Sequence, residues 1–588
     1  MPVFLNVILT NLISRLFSRS PASAPAAIES LLQHGYDAQQ AGNFAAAERS
    51  YRQALVQEST NADAHYLIGA LLGERGDVAA AATHLDRALA LNPERAAAHA
   101  ARANVYLMQE QHSAASASYE RALALDPDNA VAYFNLGLVA QASGAKENAF
   151  RHFTRAYELA PDMPDLLKNL TLSNLEFGHY DGAEALLRRL LAHSPKHYEA
   201  LRCLGLVLQK SHRPQEALAC YESVREAGAG DPEFLNNFGI VLQDLGRLDE
   251  AIEKYGEAIA LKPDFTLAIW HRSLAYLLRH DFGRGWPDYE LRLKSSDVPP
   301  RAVAFPRWEG EPLSGKTLLI YAEQGLGDEI MFSSCIPDVL AAGGQVVLEC
   351  SAKLAPVFAR SFDPASVYPV NQARAVPAHL ASKKIDWQIP IGSLPSHFRR
   401  DRADFPAHSG YLRAEPERVA AWRQRLEAIG PGLKVGISWQ GGTHRSRRPV
   451  RSMPLARWQP ILECPATHFV DLQYTDFESE LRELHAATGI EVHSWNEVRA
   501  DYEETAALAT ALDLVISVCT AAIHLGGALG RPVWVMAPFS PEWRYGAATP
   551  GMPWYPSVRV FRQPAYGEWE PVITEVAQSL RRLAAGAR

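Results

Sequence analysis

Two rhythms of apolar and polar positions divide the chain. Up to about residue 293 apolar residues return at the spacing of amphipathic helices, and the pattern repeats every 34 residues. Small or short side chains mark the register at Gly35, Gly69, Ala103, Gly137, Thr171, Gly205, Gly239 and Ser273. Twelve residues after each of the first seven stands an alanine (Ala47, Ala81, Ala115, Ala149, Ala183, Ala217 and Ala251), and the series breaks at Gly285. Such positions predict antiparallel helices in close approach, because the side chains at a helix contact set the distance between the axes. Four residues further on come Tyr51, Leu85, Tyr119, Phe153, Leu187, Tyr221, Tyr255 and Tyr289, bulky groups expected to fill the space between adjacent units. Pro93, Pro127, Pro161, Pro195 and Pro263 stop the second helix of their units. Seven good helix pairs and one degenerate pair are expected.

Beyond Leu293 a proline-rich linker, from Pro299-Pro300 to Pro312, leads into short apolar runs that alternate with helical stretches, the pattern of parallel α/β structure. Residues 316–321 read as a buried first strand, followed by Gln324-Gly325-Leu326-Gly327-Asp328-Glu329 and a helix; 345–349 and 387–391 read as further strands. A second set begins at 433–439 and continues through 467–472, 514–518 and 533–536, with a helical stretch at 415–429 between the two sets. Two nucleotide-binding-like lobes joined by a linker describe the GT-B fold, and open α/β sheets bind ligands beyond the carboxyl ends of their strands. The expected fold is thus an α-helical solenoid followed by an α/β GT-B module. Its divisions are an amphipathic or linker segment 1–27, the solenoid 28–295, a linker 296–315, an N-terminal lobe 316–414, an interlobe helix 415–431 and a C-terminal, donor-binding lobe 432–588.

Composition narrows the class. A chain of 588 residues needs several cores, and 47% hydrophobic with 21% charged residues is the balance of a folded protein. The formal net charge of −8 provides no global positive field for nucleic acid. The six cysteines contain no Cys-x-x-Cys pair, which argues against a disulfide scaffold or structural zinc and for a reducing compartment. Residues 3–17 are apolar at helical spacing but interrupted by Asn6, Thr10 and Asn11, too short to span a membrane and with no preceding positive charge. An amphipathic helix packed on the solenoid or touching a membrane surface is expected, in a cytoplasmic protein.

The 34-residue register resembles the tetratricopeptide repeat (TPR) family. That resemblance implies a superhelix with a concave groove for an extended peptide or protein partner, the alternative being a spacer or oligomerisation arm. Asp126-Pro127-Asp128 falls on a repeat junction and is read as a turn, not as a metal-binding Asp-x-Asp.

The C-terminal half carries a strand followed by Gly-x-Gly-Asp, the stretch 444–455 with Arg451-Ser452-Met453-Pro454-Leu455, and the segment 517–534 with its Cys519-Thr520-Ala521-Ala522 turn. Trp543-Arg544-Tyr545 and Pro553-Trp554-Tyr555-Pro556 extend the pattern. It resembles the bacterial TPR-linked glycosyltransferases, which are similar to the heptosyltransferases (glycosyltransferase family 9) and more distantly to protein O-GlcNAc transferase. The resemblance implies transfer of a sugar from a nucleotide-sugar donor, with no bound metal and no other cofactor. It makes Asp328 the base that takes the acceptor's proton in an inverting reaction. A helix cap is the competing role for that residue, and Glu329 the local rival. Gly325 and Gly327, in the turn around it, are assigned to the donor site.

The turn 518–522 joins a strand to a helix, so its amides and helix dipole would face the donor phosphates; Thr520 adds a hydroxyl, and Cys519 and Ala521 flank it. Trp439 and Gln440, which begin the turn before a basic cluster, are assigned to the donor site together with His444 and Arg451 of that cluster. His524 is placed either at the donor or in the core. Cys519 stands where the family commonly has aspartate, and it carries charge only if the helix terminus lowers its pKa strongly.

Three functions follow: a transferase acting on a protein held by the TPR groove, with flagellin an acceptor the resemblance suggests; a transferase extending a cell-surface polysaccharide; or a TPR scaffold whose transferase module binds nucleotide sugar without turnover. UDP, GDP, ADP and CMP sugars all remain open as donors.

Overall fold

The computed structural model describes residues 26–163, 165–294, 305–363, 365–370, 384–442, 448–474 and 477–586. The amphipathic helix expected at 3–17 lies outside them. The described residues form two compact units, within Met1–Val224 and within Arg225–Arg588.

Helices succeed one another in eight pairs, from Ala26–Gln40 with Phe44–Gln57 to Thr266–Leu278 with Phe282–Tyr289. The first six pairs belong to the first unit and the last two to the second. Within a pair, the small residue of the first helix is the notch for the bulky residue of the second. A Cβ on Gly35 would lie 2.4 Å from Tyr51, on Gly137 2.5 Å from Phe153, and on Gly239 2.5 Å from Tyr255. The bulky residues therefore fill first the inside of their own pair, a refinement of the expectation that they fill the space between units. The alanines four residues before them are buried throughout, from Ala47 to Ala251.

The turn inside each pair has its own period. Gly42, Gly76, Glu110, Gly144, Gly178, His212, Gly246 and His280 all have φ between 59° and 82°. A left-handed residue just past a helix end closes off its last carbonyls, and glycine adopts that conformation without steric cost. Asn43 and Asp77 then cap the second helices, accepting from the amides of Ala46 and Ala80, while Asn61 and Asn129 cap first helices in the same way. Asp126 is a helix C-cap, and Pro127-Asp128 is the turn expected there.

The second unit also contains two sheets. β1 (Thr317–Tyr321), β2 (Gln345–Ser351), β3 (Ser366–Val370) and β4 (Trp387–Pro390) form a parallel sheet in the order β3-β2-β1-β4. β5 (Leu433–Ser438), β6 (Thr467–Asp471), β7 (Val492–His493), β8 (Leu514–Val518), β9 (Val533–Ala537), β10 (Gly551–Met552) and β11 (Tyr555–Arg562) form the other, ordered β10-β11-β9-β8-β5-β6-β7. Its pairings are parallel except β10 with β11. Every residue of β8 is buried, as expected for an inner strand of a covered parallel sheet. The helix Pro416–Ala428 between the sheets is capped by Glu415, which accepts from the amide of Arg418. β3, β7, β10 and β11 were not expected from the apolar runs.

One core cluster runs from the last helix pair into both sheets. Trp286 is central to it: its indole N–H donates to the Arg399 carbonyl at 2.7 Å, and its ring meets Trp543 and Trp554 edge-on. The segment before the interlobe helix is strapped down, since the amides of Tyr411 and Leu412 both donate to the Ala528 carbonyl. Among the described residues no helix is long and apolar enough to cross a membrane.

Candidate functional site

The carboxyl ends of β1 and β8 each lead into an eight-residue helix, Leu326–Ser333 and Ala521–Ala528. The two N-termini meet. A Cβ on Gly327 would come within 3.0 Å of the His524 ring and 3.6 Å of Ala521 Cα, so the absence of a side chain at 327 permits the approach. Gly325 is the N-cap of the first helix. Before it, Gln324 has φ of 68° and its side chain hydrogen-bonds the Tyr289 hydroxyl at 3.1 Å. Asp328 Oδ2 reaches back to accept the Gly325 amide at 3.3 Å, so Asp328 caps the helix from its third position, and the N-cap position considered for it belongs to Gly325.

The other oxygen of Asp328 has a stronger partner. Oδ1 accepts from Arg544 Nε at 2.8 Å and also from Arg544 Nη2. Arg544 Nη1 lies 3.4 Å from Glu542 Oε2, and Glu542 Oε1 accepts from Arg451 Nη1 at 2.6 Å. The result is a ladder of alternating charge, Asp328, Arg544, Glu542, Arg451, whose two guanidinium side chains are only 14% and 11% exposed. Burial opposes the charge on Arg544, but Asp328 and Glu542 beside it hold the guanidinium firmly protonated. No spacing along the chain marks Arg544 or Glu542; Trp543-Arg544-Tyr545 stands out only through the family pattern.

Glu329 lies in a different environment. It is 5% exposed, its Oε2 accepts the Ser351 amide at 2.8 Å, and burial pushes its carboxyl up to about 7. It is therefore bound to the end of β2, apart from the Asp328–Arg544 pair.

On the β8 side Thr520 is the helix N-cap, accepting the Ala522 amide at 3.3 Å, with its hydroxyl 2.8 Å from that of Ser517. Ser438 at the end of β5 donates to Gln473 Oε1 at 2.6 Å and sits 3.5 Å from Thr520 Oγ1. The ends of β5, β6 and β8 thus share a buried polar network. Cys519 is 1% exposed, and burial pushes its thiol up to about 12. Desolvation outweighs the helix dipole here, so the lowering of its pKa considered for this helix terminus does not occur and Cys519 is a neutral thiol. His524 is 4% exposed, its Nδ1 lies 3.1 Å from the Tyr555 hydroxyl, and burial lowers its pKa to about 3. The imidazole is a neutral core group, with no charge to offer a phosphate.

Trp439 and Gln440 are held by Glu480, whose Oε2 accepts from Trp439 Nε1 at 2.9 Å and Gln440 Nε2 at 3.2 Å; its Oε1 accepts the Leu455 amide at 2.7 Å. Trp439 is fully buried, so it shapes the turn and does not line it. Arg451 Nε donates to the Gly441 carbonyl at 3.2 Å, tying this turn to the charge ladder. His444 lies outside the described residues. The structure thus gathers Asp328, Gly325, Gly327, Arg451, Thr520, Ala521 and His524 around Arg544, and puts Trp439 and Gln440 on a supporting turn.

Models of the tetratricopeptide repeat match residues 32–96, 69–115, 130–163, 174–236 and 232–265, and a TPR repeat model matches 105–144. Protein FlbA of Caulobacter vibrioides is 32% identical over 444 residues, which cover 66% of this chain and 74% of that protein. Among solved structures, a tetratricopeptide repeat protein from Parabacteroides merdae is 17% identical with a TM-score of 0.34, covering 43% of this chain and 99% of that one. Pseudomonas aeruginosa pilF is 23% identical with a TM-score of 0.31, covering 35% of this chain and 94% of that one. The chain carries TPR repeats across its N-terminal half, followed by parallel sheets and helices, and it belongs to the family of Protein FlbA.

Proposed function

We propose that this protein is a glycosyltransferase that moves a sugar from a nucleotide-sugar donor to a protein held by its TPR repeats, through a GT-B-like module. The observation that carries the proposal is the meeting of two helix N-termini, one bearing Asp328 and the other Thr520, with Arg544 and Arg451 beside them. Helix termini and guanidinium forks suit phosphate oxygens, and a carboxylate at the same place suits removal of a hydroxyl proton. In an inverting transfer the acceptor oxygen bonds to the anomeric carbon, its proton passes to Asp328, and the bond to the phosphate oxygen breaks with its electron pair on the leaving nucleotide. The Thr520 turn and the arginines stabilise that growing charge. On the TPR side, Tyr66, Asn104, Met108 and Asn135 line one open pocket, an apolar surface with amide groups of the kind that holds an extended peptide. Flagellin is the acceptor that the resemblance to TPR-linked transferases suggests.

Thermal-shift screening against UDP, GDP, ADP and CMP sugars, with turnover of the stabilising donor by wild type and Asp328→Asn, tests this function. One donor should raise the melting temperature of both proteins and be consumed by the wild type alone. If none stabilises the wild type at millimolar concentration, the transferase function fails. The neutral Cys519, standing where the family commonly has aspartate, supports the second reading, a TPR scaffold that binds donor without turning it over.

A further inference from the structure

Asp328 cannot act as a base while both its oxygens are engaged as the ladder engages them. Oδ1 is covered by Nε and Nη2 of Arg544, and Oδ2 faces the Gly325 amide. Arg544 is in turn shared between Asp328 and Glu542, and its guanidinium lies over the Trp543 ring, 4.9 Å from the centroid. Two guanidinium groups, Arg451 and Arg544, therefore flank one carboxylate, Glu542, which lies between them. Acidic residues hold the pair in place. A diphosphate brings oxygens that compete for the same donors in the same fork geometry.

We propose that Arg544 is a donor-operated switch on Asp328: it leaves the carboxylate for the phosphate oxygens of the nucleotide-sugar donor, and so frees Asp328 only when the donor is bound. This rests on the transferase function and deepens it by giving the Asp328–Arg544 pair a regulatory role. A free Asp328 beside an empty donor site would have no electrophile to work with. The switch ties proton removal to the presence of the anomeric carbon. In the transfer, Asp328 Oδ1 takes the acceptor's proton while Arg544 stays on the departing nucleotide.

The test is calorimetric titration of the full chain with inorganic pyrophosphate and with UDP, GDP, ADP and CMP, on wild type, Asp328→Asn, Arg544→Gln and the double variant. Removing the carboxylate charge that competes for Arg544 should tighten pyrophosphate and the nucleoside diphosphates about tenfold in Asp328→Asn, close to the lower end of what close charge pairs contribute. Arg544→Gln should weaken them by at least the same factor. The double variant, which removes both members of the pair and leaves no unpaired charge, should bind no more tightly than Arg544→Gln. Binding should quench or enhance Trp543 emission in proteins that keep Arg544, by comparison with Trp543→Phe. Unchanged pyrophosphate affinity in Asp328→Asn, or full affinity in Arg544→Gln, overturns the switch and leaves the transferase function standing. No binding of pyrophosphate or any nucleotide to wild type and Asp328→Asn removes both.

Discussion

The imidazole Nδ1 of His524 lies 3.1 Å from the hydroxyl of Tyr555, with the two residues 4% and 0% exposed. Burial, with Arg544 nearby, lowers the His524 pKa to about 3, whereas the unfolded chain takes its proton near pH 6.5. The unfolded state therefore binds more protons between these values, and the stability this residue allows is complete above pH 6.5 and lost as pH falls. Glu329 acts oppositely: its carboxyl is raised to about 7 from 4.5, so its contribution is complete below pH 4.5 and lost as pH rises through 7. Comparison with His524→Gln isolates the histidine. Denaturant titrations should show wild type losing about 1.4 kcal/mol per pH unit relative to that variant below pH 6.5; parallel curves would mean that His524 takes its proton as readily in the fold as in the unfolded chain.

Gly239 and Tyr255 provide a test of the repeat. A Cβ on Gly239 would stand 2.5 Å from the Tyr255 ring, yet the third pair accommodates Ala103 at the same register with Tyr119. Gly239→Ala should therefore cost little more than about 1 kcal/mol, and Gly239→Val about 1–3 kcal/mol from overpacking. Chemical denaturation followed by far-ultraviolet circular dichroism measures both. Equal costs for the two substitutions would show that the notch is not what limits the site.

Cys519 should resist modification. Its thiol is 1% exposed and raised to about 12 by burial, so both access and thiolate are lacking. Mass mapping after iodoacetamide at pH 8 should find Cys519 unlabelled in the native protein and fully labelled after unfolding. Rapid labelling of the native protein would mean that this turn opens.

Glu480 holds the turn that carries Trp439, Gln440 and, through Gly441, Arg451. Glu480→Ala leaves the Trp439 indole N–H and the Leu455 amide without their acceptor, at a cost of about 1–3 kcal/mol each if both stay buried. Donor affinity should fall severalfold although Glu480 touches no ligand, with Glu480→Gln intermediate. A thermal-shift and titration pair that finds stability lowered but affinity unchanged would separate this turn from the donor site.

Much of the fold was legible because the physical demand repeats. A helix pair that must close on itself needs a small residue at one position and a bulky one sixteen residues later, and each unit states that demand again, as Gly69 with Leu85 and Gly205 with Tyr221. The buried strands were legible for a related reason: a strand covered on both faces, such as β8, must be apolar along its whole length. β3 and β11 escaped notice because their exposure alternates or is partial, and nothing local distinguishes them from loop.

Asp328 and Thr520 could be found from sequence because each caps a helix at the end of a strand, a demand met within a few residues. Arg544 could not. Its partner Asp328 is 216 residues away, and only the folding of β1 and β8 into one unit brings the two helix N-termini together. The charge states at the site were equally out of reach, because the neutrality of Cys519 and His524 follows from desolvation, a property of what surrounds a residue in space. The sequence by itself determined the repeat, the buried strands and the helix caps, each of which is written in the residue types of one local segment. Tertiary structure alone decided which charges pair and which groups lose theirs, because both depend on contacts and dielectric surroundings that exist only once distant segments have packed.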